Sequence, residues 1–172
     1  MGCVDSIAVN HDPTKCHDVS LCTYPIAFIG DYYEGGIVFQ MDSDGQHGMA
    51  VSLIDLGRAP WGCMGTAIGT DYGIGDGAAN TLEVIENCGE QSAASICGTS
   101  TFLGYNDWFL PSKNEAAQIN ENRTAINQAI SALNNTTEIA GSSCYWTSSE
   151  LRCGWGLSNP PSGWGACSPT GD

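Results

Sequence analysis

Gly104-Tyr105-Asn106-Asp107-Trp108-Phe109-Leu110-Pro111-Ser112-Lys113-Asn114-Glu115 decides how this chain is read, because it carries an aromatic run directly into the start of a helix. Ser112 followed three residues later by Glu115 is a capping box, and Pro111 fixes the entry of the chain, so a helix is predicted from Lys113. The rings ahead of it predict a strand. The stretch is architecture, since no nucleophile and base stand together in it.

Downstream, Ala116, Ile119, Ile126, Ile130 and Leu133 fall on one face of a helix predicted over residues 113–133, with Asn, Gln and Glu opposite. That stripe is core. Residues 144–150, Cys-Tyr-Trp-Thr-Ser-Ser-Glu, alternate rings with hydroxyls and predict a strand. A tail rich in Gly, Pro, Ser and Trp follows, with Trp155 and Trp164.

Upstream, residues 35–41 and 48–54 read as two strands of a hairpin with Asp44-Gly45 in its turn. Asp42 and Asp44 open like a calcium loop, but later EF-hand ligands are missing, and a turn-forming role explains them without metal. His47 is expected to make a structural hydrogen bond. Residues 57–79 are Gly-rich without the context of a phosphate loop, which excludes nucleotide binding there. Asn80 and Glu83 predict the cap of a helix over residues 81–87 ending near Gly89, and residues 93–97 a further helical turn.

The chain has 172 residues, enough for one main domain, with 19 acidic against 5 basic residues and a net charge of -14. Nucleic acid, heparin-like polymers and anionic membranes need clustered Lys and Arg and are excluded as partners. A neutral glycan, a protein receptor or calcium suits this charge. No window approaches the length of a membrane span, so no membrane insertion is expected, and residues 1–10 lack the pattern of a signal peptide.

Nine cysteines without zinc spacing predict disulfides. Proximity suggests pairs among Cys3, Cys16 and Cys22, Cys88 with Cys97, and Cys144 with Cys153 or Cys167. The odd count leaves at least one thiol unpaired within the chain or pairing between chains, and Cys63 beside Trp61 is the expectation for it.

Residues 1–25 form a Cys-rich repeat or linker ahead of a main domain at 26–172. The first unit resembles short repeats of marine bacterial and phage surface proteins through Gly2, Cys3, Asp5, Ala8, Asn10, Asp12, Pro13, Asp18 and Cys22, with His11 in place of the usual Tyr. Over residues 30–155, Gly35-Gly36-Ile37-Val38-Phe39, Gly45-Gln46-His47-Gly48, Asn80-Thr81, Ala93-Ala94 to Cys97, the 105–115 stretch and Tyr145-Trp146-Thr147-Ser148-Ser149-Glu150 together resemble one family. It is the C-terminal domain of the Legionella collagen-like adhesin, a relative of the C-type lectin-like fold.

The resemblance implies an α+β, C-type-lectin-like domain with a small twisted antiparallel sheet, two or more flanking helices and long Gly-rich loops, stapled by disulfides. It implies a non-enzymatic adhesin or receptor-binding module, often a homotrimer, on an extracellular bacterial surface or a virion. The family's closing strand is not recognisable in this chain. Its sulfated-polymer ligand does not suit so few basic residues, so the binding role alone carries over.

Aromatic faces stack on sugar rings and polar side chains take their hydroxyls. The expected ligand-binding residues are therefore Trp146, Ser148, Glu150, Trp155, Asn159, Trp164 and Asp107. Candidate calcium ligands are Asp71 and Asp76 in the Gly-rich loop, Asp42 and Asp44 in the hairpin, and Asp5, Asn10 and Asp12 near the N-terminus; no organic cofactor is expected. A structural cap or filament subunit is the rival reading. An enzyme related to formylglycine-generating enzymes would need a reactive cysteine pair that no motif identifies.

Overall fold

A computed structural model of the chain describes residues 2–14, 19–63, 66–89 and 91–150. It is a mixed α/β structure with a small three-stranded antiparallel sheet, four α-helices and two disulfides among those residues.

The sheet runs β1 (Tyr32–Tyr33), β2 (Gly36–Met41) and β3 (Gly48–Ser52), in that spatial order. Between β1 and β2 the two-residue link takes left-handed φ at both Glu34 (46°) and Gly35 (85°), the hand that suits the twist of a tight hairpin. A Cβ at Gly35 would stand 2.9 Å from the Tyr105 ring. The predicted β2–β3 hairpin forms, with a register shift between Val38 and Gln40 and a turn closed by Asp42 N–H donating to the His47 carbonyl at 2.8 Å.

The first four residues of β2 are buried without alternation, because both faces of this strand are covered. On one side lie α3 (Lys113–Glu121) and α4 (Arg123–Ser131). Ile37, Phe39 and Leu53 meet Ile119, Ile126, Ile130 and Ile139 in the larger core, and Leu133 packs at its margin. The apolar stripe of the sequence is thus the core face. The predicted single helix is broken at Asn122, whose side-chain amide donates to the Phe39 carbonyl at 3.0 Å and ties the break to β2.

A second core joins α1 (Asp76–Cys88) to α2 (Ala93–Gly98), with Val84, Ala93, Ala94 and Leu110 buried and Trp61 and Trp146 packed against them. Helix α1 begins at Asp76, before the predicted Thr81, and Asn80 does not cap it. Its first N–H groups are satisfied from another helix: the Glu115 carboxylate accepts from Gly75 at 2.8 Å and from Gly77 at 3.3 Å. A cap supplied by a distant residue leaves no local signature.

Two predicted strands are absent. Residues 105–110 and 144–147 carry no regular secondary structure. Their polar groups go to scattered partners instead of a ladder: Leu110 N–H donates to Thr81 Oγ1 at 3.0 Å and Ser148 N–H to the Pro111 carbonyl at 2.8 Å.

Disulfides join Cys3 to Cys22 and Cys63 to Cys88. The first lies within the predicted N-terminal set. The second corrects two expectations, for Cys63 is bonded and Cys88 does not pair with Cys97. The free thiol among the described residues is Cys97, half-buried in the second core. Cys144 is disulfide-bonded; Cys16, Cys153 and Cys167 lie outside the described residues. No helix among the described residues is long and apolar enough to cross a membrane.

Candidate functional site

The predicted capping box forms in full. Ser112 Oγ accepts from Glu115 N–H at 3.3 Å, and Glu115 Oε2 accepts from Ser112 N–H at 2.7 Å, both residues being wholly buried. Glu115 therefore receives three backbone N–H groups, two of them from the N-cap and first turn of α1. Ser112 Oγ donates to the Gly73 carbonyl at 2.6 Å, which joins the start of α3 to the Gly-rich loop.

Residues 147–150 lie against this junction. Ser148 is buried, and its Oγ accepts from Asn80 Nδ2 at 3.2 Å. Asn80 also brackets the Asp71 backbone, accepting from its N–H at 2.9 Å and donating to its carbonyl at 2.7 Å. Glu150 Oε2 accepts from Ile68 and Gly69 N–H, and Tyr72 Oη donates to the Glu150 carbonyl. Ser148 Oγ and Glu150 Oε2, expected to touch ligand, are engaged in holding the loop. Buried polar groups that find partners in this way stabilise one loop conformation and offer little to a ligand.

The proposed metal ligands are distributed in the same manner. Asp76 Oδ2 accepts from Gly73 N–H at 2.6 Å, in a turn leading into α1, and Asp71 contributes its backbone to the junction. Near the N-terminus, Asp5 Oδ1 accepts from Ile7 N–H and Oδ2 from Tyr24 Oη, Asn10 bridges Leu21 and Thr23, and Asp12 Oδ1 accepts from Thr14. The Asp5 carboxylate beside the Tyr24 phenol pushes that phenol above its ordinary pKa.

Donor atoms of Asp42, Asp44 and His47 in the β2–β3 turn lie within 4.8 Å of one another, all exposed. His47 Nδ1 stands 3.4 Å from Asp44 Oδ2, the structural contact predicted for it. Gln46 N–H, then His47, hold the Asp44 carboxyl below its ordinary range. An imidazole beside two carboxylates is a mixed nitrogen and oxygen set, which suits a transition metal better than calcium.

A groove of about 650 Å³ opens beside β3, bounded by α2, by residues 105–111 and by residues 137–146. Its rings include Tyr33, Tyr105, Trp108, Tyr145 and Trp146. The Trp146 indole N–H donates to the Ala59 carbonyl at 2.8 Å, and Trp108 donates to the Phe102 carbonyl at 3.3 Å while its ring lies 6.2 Å from the Phe102 centroid. These indoles are held in place by their polar ends, which fixes the faces they turn to the groove. Tyr105 and Asp107 at its mouth are exposed.

Among the described residues, Glu34, Asp55, Asp107 and Glu138 bring carboxylates to the groove, His47 also lines it, and no Lys or Arg does. Cys97 also lines it, its thiol pushed up to about 11 by burial, so at neutral pH it is a protonated apolar wall.

Of the predicted ligand residues, the structure brings together Trp146 and Asp107. Ser148 and Glu150 belong to the loop junction, and Trp155, Asn159 and Trp164 lie outside the described residues. Tyr33, Tyr105, Trp108 and Glu138 escaped sequence reading. Two of them, Tyr105 and Trp108, lie in the aromatic run around Asp107, where the reading of the stretch as architecture singles out Asp107 alone for ligand. No protein family, curated protein or solved structure matches this chain.

Proposed function

We propose that this chain is a non-enzymatic receptor-binding module with C-type-lectin-like organisation, displayed on a bacterial surface or a virion, and that the groove beside β3 is its binding surface. The observation that carries the reading is the lining: fixed aromatic faces, acidic groups at the rim and, among the described residues, no Lys or Arg. Such a surface suits a neutral glycan or a receptor segment and repels sulfated or sialylated polymers. The family resemblance of residues 30–155 supports the same role.

A glycan array, probed with the oxidised chain in calcium and again in chelator, tests it. Selective binding to neutral glycans is expected. Substituting Tyr105→Ala or Asp107→Ala should weaken that binding by about tenfold or more while the melting temperature stays within a few degrees, as for a contact residue with little role in packing. Binding unchanged in both variants would overturn the assignment of the groove.

A second reading, a cap or filament subunit, draws on the segment before β2. Tyr24, Ile26, Phe28, Ile29, Tyr32 and Tyr33 are all exposed, from 37% to 54%. An apolar run of this kind suits burial between subunits. Sedimentation at micromolar concentration distinguishes the two, since a stable monomer that binds ligand would defeat the assembly role.

A further inference from the structure

Among the described residues, β3 pairs with β2 alone and forms one edge of the sheet. Its sequence, Gly48-Met49-Ala50-Val51-Ser52, contains neither a charge nor a proline. Charge and proline are two of the devices that blunt a strand edge, and without them, and with no further strand beside it among the described residues, the outer side of β3 leaves its backbone donors and acceptors outside any ladder. All five residues line the groove, which means that the open edge and the apolar trough are one surface. Just past β3, Thr137 N–H donates to the Leu53 carbonyl at 2.8 Å and sets the end of the open row.

A row of amides repeating along a strand is matched by another polypeptide strand, which meets every second residue with a pair of hydrogen bonds. Alternate side chains of an added strand would then point into the trough, the pattern by which sheet edges recognise extended peptides. The carboxylates of Glu34, Asp55, Asp107 and Glu138 set the charge of the occupant, since among the described residues no Lys or Arg lines the groove and its one imidazole, His47, stands against Asp44 instead.

We infer that β3 accepts an extended segment of a protein partner as a fourth strand, with alternate apolar side chains in the groove and Lys or Arg at the flanks facing the acidic rim. The inference rests on the groove being the binding surface and names the partner chemistry for it.

The test uses the full oxidised chain and a library of ten-residue peptides that alternate Val, Ile or Tyr with Thr and carry Lys at both ends. Amide hydrogen exchange is followed at residues 48–52, and binding by titration calorimetry. The outward amides of β3 should exchange quickly in the chain alone and at least about tenfold more slowly with a bound peptide. N-methylation of alternate peptide nitrogens should weaken binding by about three- to tenfold per hydrogen bond removed. Ala50→Lys, which places a charge on the edge, should abolish peptide binding, and Ser52→Lys serves where the first variant fails to fold.

Slow exchange at these amides without peptide would overturn the inference, because the edge would already be covered. So would peptide binding indifferent to N-methylation. If no peptide binds while a neutral glycan does, and Tyr105→Ala weakens the glycan, the strand partner is wrong and the groove stands. If neither probe binds a well-folded sample, both readings fall.

Discussion

The junction around Glu115 and the groove beside β3 use opposite kinds of residue in opposite ways. At the junction, Ser112, Glu115, Asn80, Ser148 and Glu150 have the side chains one would choose for a binding site, and the fold consumes them in hydrogen bonds to its own backbone and, for Ser148, to Asn80. In the groove, the rings of Tyr33, Tyr105, Trp108, Tyr145 and Trp146 line an open trough. The difference teaches that in a loop-rich chain polar density marks the places where loops need holding. The surface left for a partner is the one whose rings have their polar ends already tied down and whose faces are not yet covered.

The largest test of that contrast is Glu115→Ala. It strands three N–H groups at once, two of them buried, and should cost about 3–5 kcal/mol, allowing for rescue of the Gly75 amide by water, read as a lower urea midpoint. Glu115→Gln, which keeps an acceptor, should lose distinctly less. Equal losses would mean that the site needs its charge and not merely its geometry.

Next in size is removal of the Cys63–Cys88 bridge by paired Ser substitution. Its ends lie 25 residues apart, and the unfolded chain gains about 3 kcal/mol in loop entropy when such a link is cut. Because α1 packs on α2 within the second core, the loss should reach the Trp146 wall of the groove and lower ligand affinity as well. Unchanged affinity at reduced stability would show the two regions to be independent.

Cys97 gives the smallest effect and the most local one. Burial lifts its thiol pKa from the ordinary 9.0 to about 11, so its contribution to stability is complete below about pH 9 and fades as pH rises toward 11. At pH 8 a thiol reagent should label the native chain slowly and the urea-unfolded chain quickly. Rapid labelling of the native form would mean that the groove wall opens far enough to hydrate the thiol.

Much of the fold was legible where the cause is local. The Ser112 and Glu115 capping box, the two strands of the hairpin and the stripe from Ala116 to Leu133 follow from neighbours within a turn or a strand pair. What escaped has its cause far along the chain. Helix α1 starts at Asp76 because Glu115 caps it from 38 and 40 residues away. Cys63 finds Cys88 across the second core although Cys97 is nearer in sequence.

The alternating segment at 144–147 fails to become a strand for a related reason. Its indole at Trp146 reaches the Ala59 carbonyl and its neighbour Thr147 accepts from Trp61 Nε1, contacts 86 and 87 residues apart that fix it as a loop. Periodicity records which side chains share a face. It does not record whether another strand arrives beside them.

The shared carboxylate of Glu115 also bears on the order in which the molecule assembles. The first turn of α1 carries no side-chain cap of its own, and its donors wait for a residue that comes into place only when α3 has formed and docked. Helix nucleation is the costly step, so α1 is poorly nucleated during the early life of the chain, whereas α3 carries its capping box within four residues and can start alone. Folding should therefore proceed backward along the sequence, with the C-terminal helices leading, and a chain emerging from its N-terminus would hold the Gly-rich loop and α1 unformed until residue 115 is available to close them.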